Sequence, residues 1–108
     1  MSRDILEQAR DQMMAQGLVS SNREFCHGWL ARDESYMRGL RFRNMQPSVD
    51  VLNTLASKLA YYSQQLSNSQ LPQHQQLHLV FEHLHDQCVT AMEQHGRTQW
   101  MAPQRMAL

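Results

Sequence analysis

The sequence has little that breaks helices or builds a sheet. It contains four glycines and three prolines in 108 residues. No segment alternates apolar and polar residues, and no Asn-Gly or Asp-Gly pair marks a hairpin between β-branched segments. A run of about 18 apolar residues that could span a membrane is missing as well. The first 14 residues lack the uninterrupted apolar centre of a signal peptide. We therefore expect an all-α protein in the cytoplasm that has no contact with membranes.

A net charge is also lacking, because ten Lys and Arg residues balance ten Asp and Glu residues. This balance argues against a protein that coats nucleic acid through many released counterions. The charge is unevenly distributed, however. Between Arg23 and Arg43 there are five arginines and three acidic residues. One basic segment on a neutral chain is a local signal, and it is compatible with a small dimeric protein that reads nucleic acid.

Chemistry typical of an enzyme is not visible. Cys26 and His27 are adjacent, so on a helix their side chains point about 100° apart. Nothing resembles a glycine-rich loop that binds phosphate, and we expect that the protein is not an enzyme and needs no cofactor. The two cysteines, Cys26 and Cys88, lie inside apolar helical patterns and are expected to be free thiols.

Apolar residues recur at helical spacing in five segments, approximately residues 3–16, 21–30, 33–42, 48–65 and 73–95. Residues that favour helix ends separate them. Gly17 and Gly96 are predicted to end the first and last helices, and Asn44 the third. Ser21, with Glu24 three residues later, has the form of a capping box. We expect about five helices in one domain, residues 1–98, followed by a mobile tail at residues 99–108.

The second and third helices carry the functional signal. Two short helices joined by a tight turn, followed by a longer amphipathic helix, are the order of a helix-turn-helix unit, here at about residues 21–42. With Tyr36 and Leu40 turned inward, Glu34, Arg38 and Arg41 would face outward. The guanidinium group of arginine can bind guanine or phosphate in a bidentate manner.

The segment SSNREFCHGWLARDESYMRGLRFRNMQPSVDVLNTLASKL, about 40 residues long, resembles the core of helix-turn-helix proteins of the phage repressor (Cro/C1-type) class. It also resembles a group of short proteobacterial helix-turn-helix proteins. The resemblance implies a bacterial DNA-binding transcription regulator that binds double-stranded DNA as a homodimer. The turn of such proteins usually carries a glycine, where this chain has Leu30-Ala31. The residues expected to contact DNA are Arg32, Ser35, Met37, Arg38, Arg41 and Arg43.

Two alternatives to DNA binding remain open. Glu34 and Arg38, four residues apart, also fit an ordinary surface ion pair. Zero net charge, eight methionines and the acidic residues at the start of the third helix also suit a protein-interaction module (an anti-activator or adaptor) that has lost DNA binding. Its partner would be another protein.

The last long helix has two further candidate roles. His74 and His78, four residues apart, could bind a metal ion, but one helix face supplies only two ligands, and we expect no metal. The same helix is the candidate for homodimer formation, since Leu79, Val89 and Met92 lie partly off its main apolar stripe. Packing within one chain is the alternative.

Overall fold

The computed structural model describes residues 2–106, and they form an all-α fold with no strand among them. This confirms the predicted fold class and the long C-terminal helix. In chain order the helices are α1 (Ser2–Ala15), α2 (Asn22–Phe25), α3 (Tyr36–Phe42), α4 (Val49–Ser67), α5 (Pro72–Trp100) and α6 (Pro103–Met106). Residues Cys26–Leu30 continue α2 as one turn of π-helix, which we call the π turn. None of the described helices is long and apolar enough to cross a membrane.

The helix ends follow from a few side chains and backbone conformations. Gly17, at φ +73°, ends α1, because the N–H groups of Gly17 and Leu18 return to the carbonyls of Met14 and Met13 at 3.1 and 2.9 Å. Asn44, at φ 50°, ends α3 in the same manner. Both predicted helix ends are confirmed.

Serine side chains begin α2 and α4. Ser21 Oγ accepts a hydrogen bond from the N–H of Glu24 at 3.2 Å, and Ser48 Oγ accepts one from Val51 at 3.2 Å. The carboxylate of Glu24 accepts from the N–H and hydroxyl of Ser20 at 2.9 and 2.6 Å. The predicted N-cap at Ser21 is therefore confirmed, but the capping box is not complete, because Glu24 bonds to Ser20 rather than to the N–H of Ser21. These bonds lower the pKa of Glu24, the hydroxyl of Ser20 having the largest effect.

Helices α4 and α5 form an antiparallel hairpin that is the main body of the fold. Near the loop, Ser63 of α4 contacts His78 of α5. The other elements lie against this hairpin, with the π turn on α4 and α1 on α5. The largest fully buried side chains are Phe25, Leu6, Met13, Leu30, Leu52, Leu55, Leu59, Leu84, Val51, Cys26 and Cys88. Every long helix contributes to this core, which fits a single domain.

The prediction that Gly96 ends the last helix is wrong. Helix α5 continues through Gly96 to Trp100 and has 29 residues, whereas α4 has 19. At 1.5 Å per residue, α5 is about 15 Å longer than its partner. The expected tail at 99–108 therefore begins inside α5, and it contains the short helix α6, whose Arg105 donates to the carbonyl of Gln99 at 2.6 Å. Residues 107–108 of that tail lie outside the described range.

Candidate nucleic-acid interface

The turn before α3 sets the position of the predicted site. After the π turn, Ala31 adopts the left-handed conformation at φ 55°, ψ 45°. Asp33 Oδ1 then accepts hydrogen bonds from the N–H and the hydroxyl of Ser35 at 2.9 and 2.7 Å. These bonds, the backbone one most, lower the pKa of Asp33. Since Asp33 holds a turn in this way, α3 begins at Tyr36, three residues later than predicted.

The inner side of α3 anchors it to the core. Leu40 and Met37 are buried, and Tyr36 is half-buried, with its hydroxyl accepting from the N–H of Ser48 at 3.4 Å. The inward positions of Tyr36 and Leu40 agree with the sequence analysis. Met37 does not agree with it. Only 7% of Met37 is exposed, so it packs in the core and is withdrawn as a DNA contact.

The outermost line of α3 runs from its N-cap residue, Ser35, through Arg38 to Phe42. At about 100° per residue these positions lie within about 60° of one another and opposite the buried side. All three are exposed, and Phe42 is 89% exposed. From the sequence, Phe42 was predicted only as the last residue of the helix. Its spacing of four residues from Arg38 was the available signal that both share one face.

Arg38 has no hydrogen bond or ion pair with residues 4–106, and the Glu34–Arg38 surface pair considered above does not form there. Glu34 instead forms a hydrogen bond through its backbone, because the Glu34 carbonyl accepts from the side-chain amide of Asn22 at 3.0 Å. The guanidinium of Arg38 is therefore available to a ligand at the centre of the outer face.

The other arginines of the site flank this line and differ in their partners. Arg41 forms an ion pair with Glu7 of α1, although 66% of its side chain stays exposed. Arg32 lies over the ring of Tyr36, 5.9 Å from its centroid, and donates to the carbonyl of Ala31 at 3.1 Å. Arg43 donates to the carbonyl of Gly39 at 3.3 Å.

Around a shallow depression beside Gly39, the chain brings Arg32, Arg38 and Arg43 together with Phe42 and with the carboxylate of Asp33. Neither Arg32 nor Arg43 is paired with a carboxylate among the described side chains. Three of the four predicted arginines thus keep their charge uncompensated by a direct ion pair. With three arginines against the one carboxylate of Asp33, this face keeps a net positive charge beside the exposed ring of Phe42, a combination that suits an anionic ligand with apolar groups.

The candidate metal ligands are engaged with serines rather than with each other. His74 Nδ1 lies 2.8 Å from Ser69 Oγ, and His78 Nδ1 lies 2.7 Å from the carbonyl of Ser63. His78 Nε2 lies 3.3 Å from a carboxylate oxygen of Glu82. The described residues bring together no group of three or more possible ligands.

Cys26 and Cys88 are free and buried. Loss of water on burial raises the pKa of both thiols, that of Cys88 to about 12. At neutral pH both are protonated thiols that pack as small apolar groups. A nucleophilic cysteine needs the opposite environment, one that is partly exposed and lowers the pKa of the thiol.

Comparison with known protein families places the chain in one of them. The sequence pattern of DUF6626, a family of unknown function, matches residues 6–101. This match covers most of the 108 residues, and the chain belongs to that family. The same comparison with curated proteins and with solved structures gave no match.

Proposed function

We propose that this member of the DUF6626 family is a DNA-binding transcription regulator that presents the outer face of α3 to double-stranded DNA. The observation that carries the proposal is Arg38. It stands on the outermost line of α3 between Arg32 and Arg43 and forms no ion pair with residues 4–106, although the carboxylate of Asp33 lines the same depression. Such a role requires access to DNA in the cytoplasm of a bacterium, and it requires no cofactor and no catalysis.

The electrostatics of this face predict a measurable salt dependence. Each arginine that neutralises a phosphate releases counterions, and the slope of log K against log salt is about −0.9 per phosphate contact. Arg32, Arg38 and Arg43 together predict a slope of about −3 per protomer. Arg41 contributes less, because DNA must compete with Glu7 for its guanidinium group.

Fluorescence anisotropy at low salt with labelled duplexes from upstream of the gene tests the proposal. We expect Arg38→Ala to weaken binding and reduce the salt slope by about one. Glu7→Gln is expected to strengthen binding by releasing Arg41. Arg97→Ala is the matched control, because Arg97 is an exposed arginine of α5 already paired with Glu93 at 2.9 Å. Equal affinities of the wild type and an Arg38→Ala/Arg41→Ala double variant would contradict the proposal.

The proposed regulator acts as a homodimer joined through the C-terminal half of α5. Val89, Met92, Gly96 and Trp100 form one stripe of that helix, and both Val89 and Trp100 are exposed. Helix-turn-helix proteins gain specificity as dimers that bind two half-sites about 34 Å apart. We expect sedimentation analysis to give a dimer that Trp100→Ala weakens and that Leu71→Ala leaves intact, because Leu71 is an exposed apolar residue at the other end of α5. A wild-type monomer at all accessible concentrations would refute the dimer.

A specific surface favours the alternative, a protein-interaction module. Tyr61 and Tyr62 are exposed on α4, and the Tyr62 ring lies 5.7 Å from that of Trp29. Exposed tyrosines are common where proteins bind each other. Under this alternative, Tyr61→Ala/Tyr62→Ala abolishes a stoichiometric protein complex that survives nuclease treatment, while Arg38→Ala does not. Under the regulator proposal, Arg38→Ala weakens the complex with DNA, while Tyr61→Ala/Tyr62→Ala does not.

A further inference from the structure

The exposure of Phe42 is unusual for a large apolar side chain. At 89% it exceeds the exposure of the other large apolar side chains of the described residues, of which Leu79 is next at 64%. Among residues 4–106 its ring makes no aromatic or cation–π contact. Packing on its own domain therefore does not explain why the ring is there. A ligand that covers it would.

The neighbours of Phe42 restrict the chemistry of that ligand. Arg38 lies one turn earlier on the same outermost line, and Arg43 follows directly in sequence. A partner that covers the ring must therefore accept hydrogen bonds or carry negative charge within a few ångströms of an apolar group. The major groove of DNA has this combination, because the guanine edge offers two acceptors, N7 and O6, and thymine offers a C5-methyl group.

The spacing of the two side chains fits neighbouring base pairs. Four residues of helix span about 6 Å, and consecutive bases on a strand are about 3.4 Å apart. Arg38 and Phe42 thus stand about two base steps apart along the groove. Ser35, one turn before Arg38, is short and has its hydroxyl engaged with Asp33, so it leaves the two longer side chains to project.

We propose that Arg38 and Phe42 act as a pair that contacts bases, with Arg38 bound to a guanine and Phe42 covering the C5-methyl group of a thymine about two base steps away. This inference rests on the proposed function and goes beyond it, because it assigns sequence specificity to a side chain that carries no charge. The arginines that flank the pair contact phosphates and fix its orientation. Phe42 determines specificity for A·T against other pairs at its position.

The test removes the C5-methyl group of thymine from the DNA, in addition to removing the ring of Phe42 from the protein. Duplexes are first selected from a random 20-base-pair library at low salt with the full-length protein. In the most enriched duplex, each thymine is then replaced singly by deoxyuridine, which lacks only the C5-methyl group. At one position we expect wild-type affinity to fall about three- to fourfold, the effect of losing one buried methyl contact.

Variants connect that position to Phe42. Phe42→Ala is expected to bind the thymine and deoxyuridine duplexes equally, and Phe42→Leu to keep part of the preference. Arg38→Ala is expected to keep the sensitivity to deoxyuridine and to lose discrimination at the guanine. Because Phe42 is exposed, we expect the thermal unfolding of Phe42→Ala to match that of the wild type.

The outcomes separate this inference from the proposed function. Tight binding with no sensitivity to deoxyuridine at any position overturns the inference and leaves DNA binding intact. A preference that persists in Phe42→Ala also overturns it. If the library yields no enriched duplex and wild type binds none at low salt, the proposed function fails and the inference with it. A protein complex that Phe42→Ala disrupts would then assign the ring to a protein partner.

Discussion

Replacement of Ala31 by glycine is expected to stabilise the protein. Ala31 is held at φ 55°, ψ 45°, where an L-residue with a Cβ loses about 1–2 kcal/mol relative to the right-handed conformation. Glycine removes this cost. It also makes the unfolded chain more flexible, however, and this lowers the free energy of unfolding by about 0.5–1 kcal/mol. The side chain of Ala31 is exposed, so little burial is lost. The net expectation for Ala31→Gly is a gain of about 0.5–1 kcal/mol in the free energy of unfolding.

Urea denaturation measures this gain as a higher midpoint with an unchanged m value. For a domain of this size, 1 kcal/mol corresponds to about 4–8 °C in Tm. Ala60→Gly is the matched control. Ala60 is exposed in the interior of α4, where glycine is expected to cost about 1 kcal/mol. If Ala31→Gly lowers the midpoint as Ala60→Gly does, Ala31 has an ordinary helical conformation and the reasoning is refuted.

Three further outcomes are expected. Ser48→Ala should lower the free energy of unfolding by about 0.5–2 kcal/mol in urea melts, and Ser48→Asp should restore most of it, because Ser48 caps α4. In Ser35→Ala the pKa of Asp33, measured by NMR titration, should rise only part of the way to its ordinary value, since the stronger backbone bond from residue 35 remains. The folded pKa of Asp33 is lowered, so the stability it contributes is present above about pH 4 and lost as pH falls through that folded pKa. Cys88, whose pKa is raised to about 12, should not react with a thiol reagent at pH 8 until urea unfolds the chain. Reaction at the rate of a free peptide thiol would contradict its burial.

Local signals in the sequence predicted helix ends well where one residue decides them. Gly17 and Asn44 take positive φ values, and Ser21 and Ser48 cap the next N–H groups, as their residue types favour. Gly96 shows the limit of such signals. Glycine costs a helix only about 1 kcal/mol, and α5 continues through it for four more residues.

The site was predicted only in part. The turn held by Asp33 moved the start of α3 by three residues but left the same side of the helix facing the core. Met37 lies about 60° from Leu40 around the helix, so the periodicity that placed Leu40 inward also places Met37 on the buried side. The pairing of Arg41 joins residues 34 positions apart, which no local pattern could predict. Periodicity did place Tyr36 and Leu40 inward, and with them Arg38 outward. The same periodicity also places Phe42 beside Arg38, because the two residues are four positions apart in the predicted helix 33–42.

The orientation of the residues that follow the π turn at Cys26–Leu30 depends on the number of residues in that turn. Its hydrogen bonds span five residues instead of four, so this turn holds one residue more than a regular α-helical turn. A chain shortened by one residue here could close an ordinary helix, but the following residues would be rotated by about 100°. Trp29 and Leu30 would then leave the core, and the turn at Ala31 would leave in another direction. This segment therefore tolerates substitutions that keep its volume far better than any single deletion.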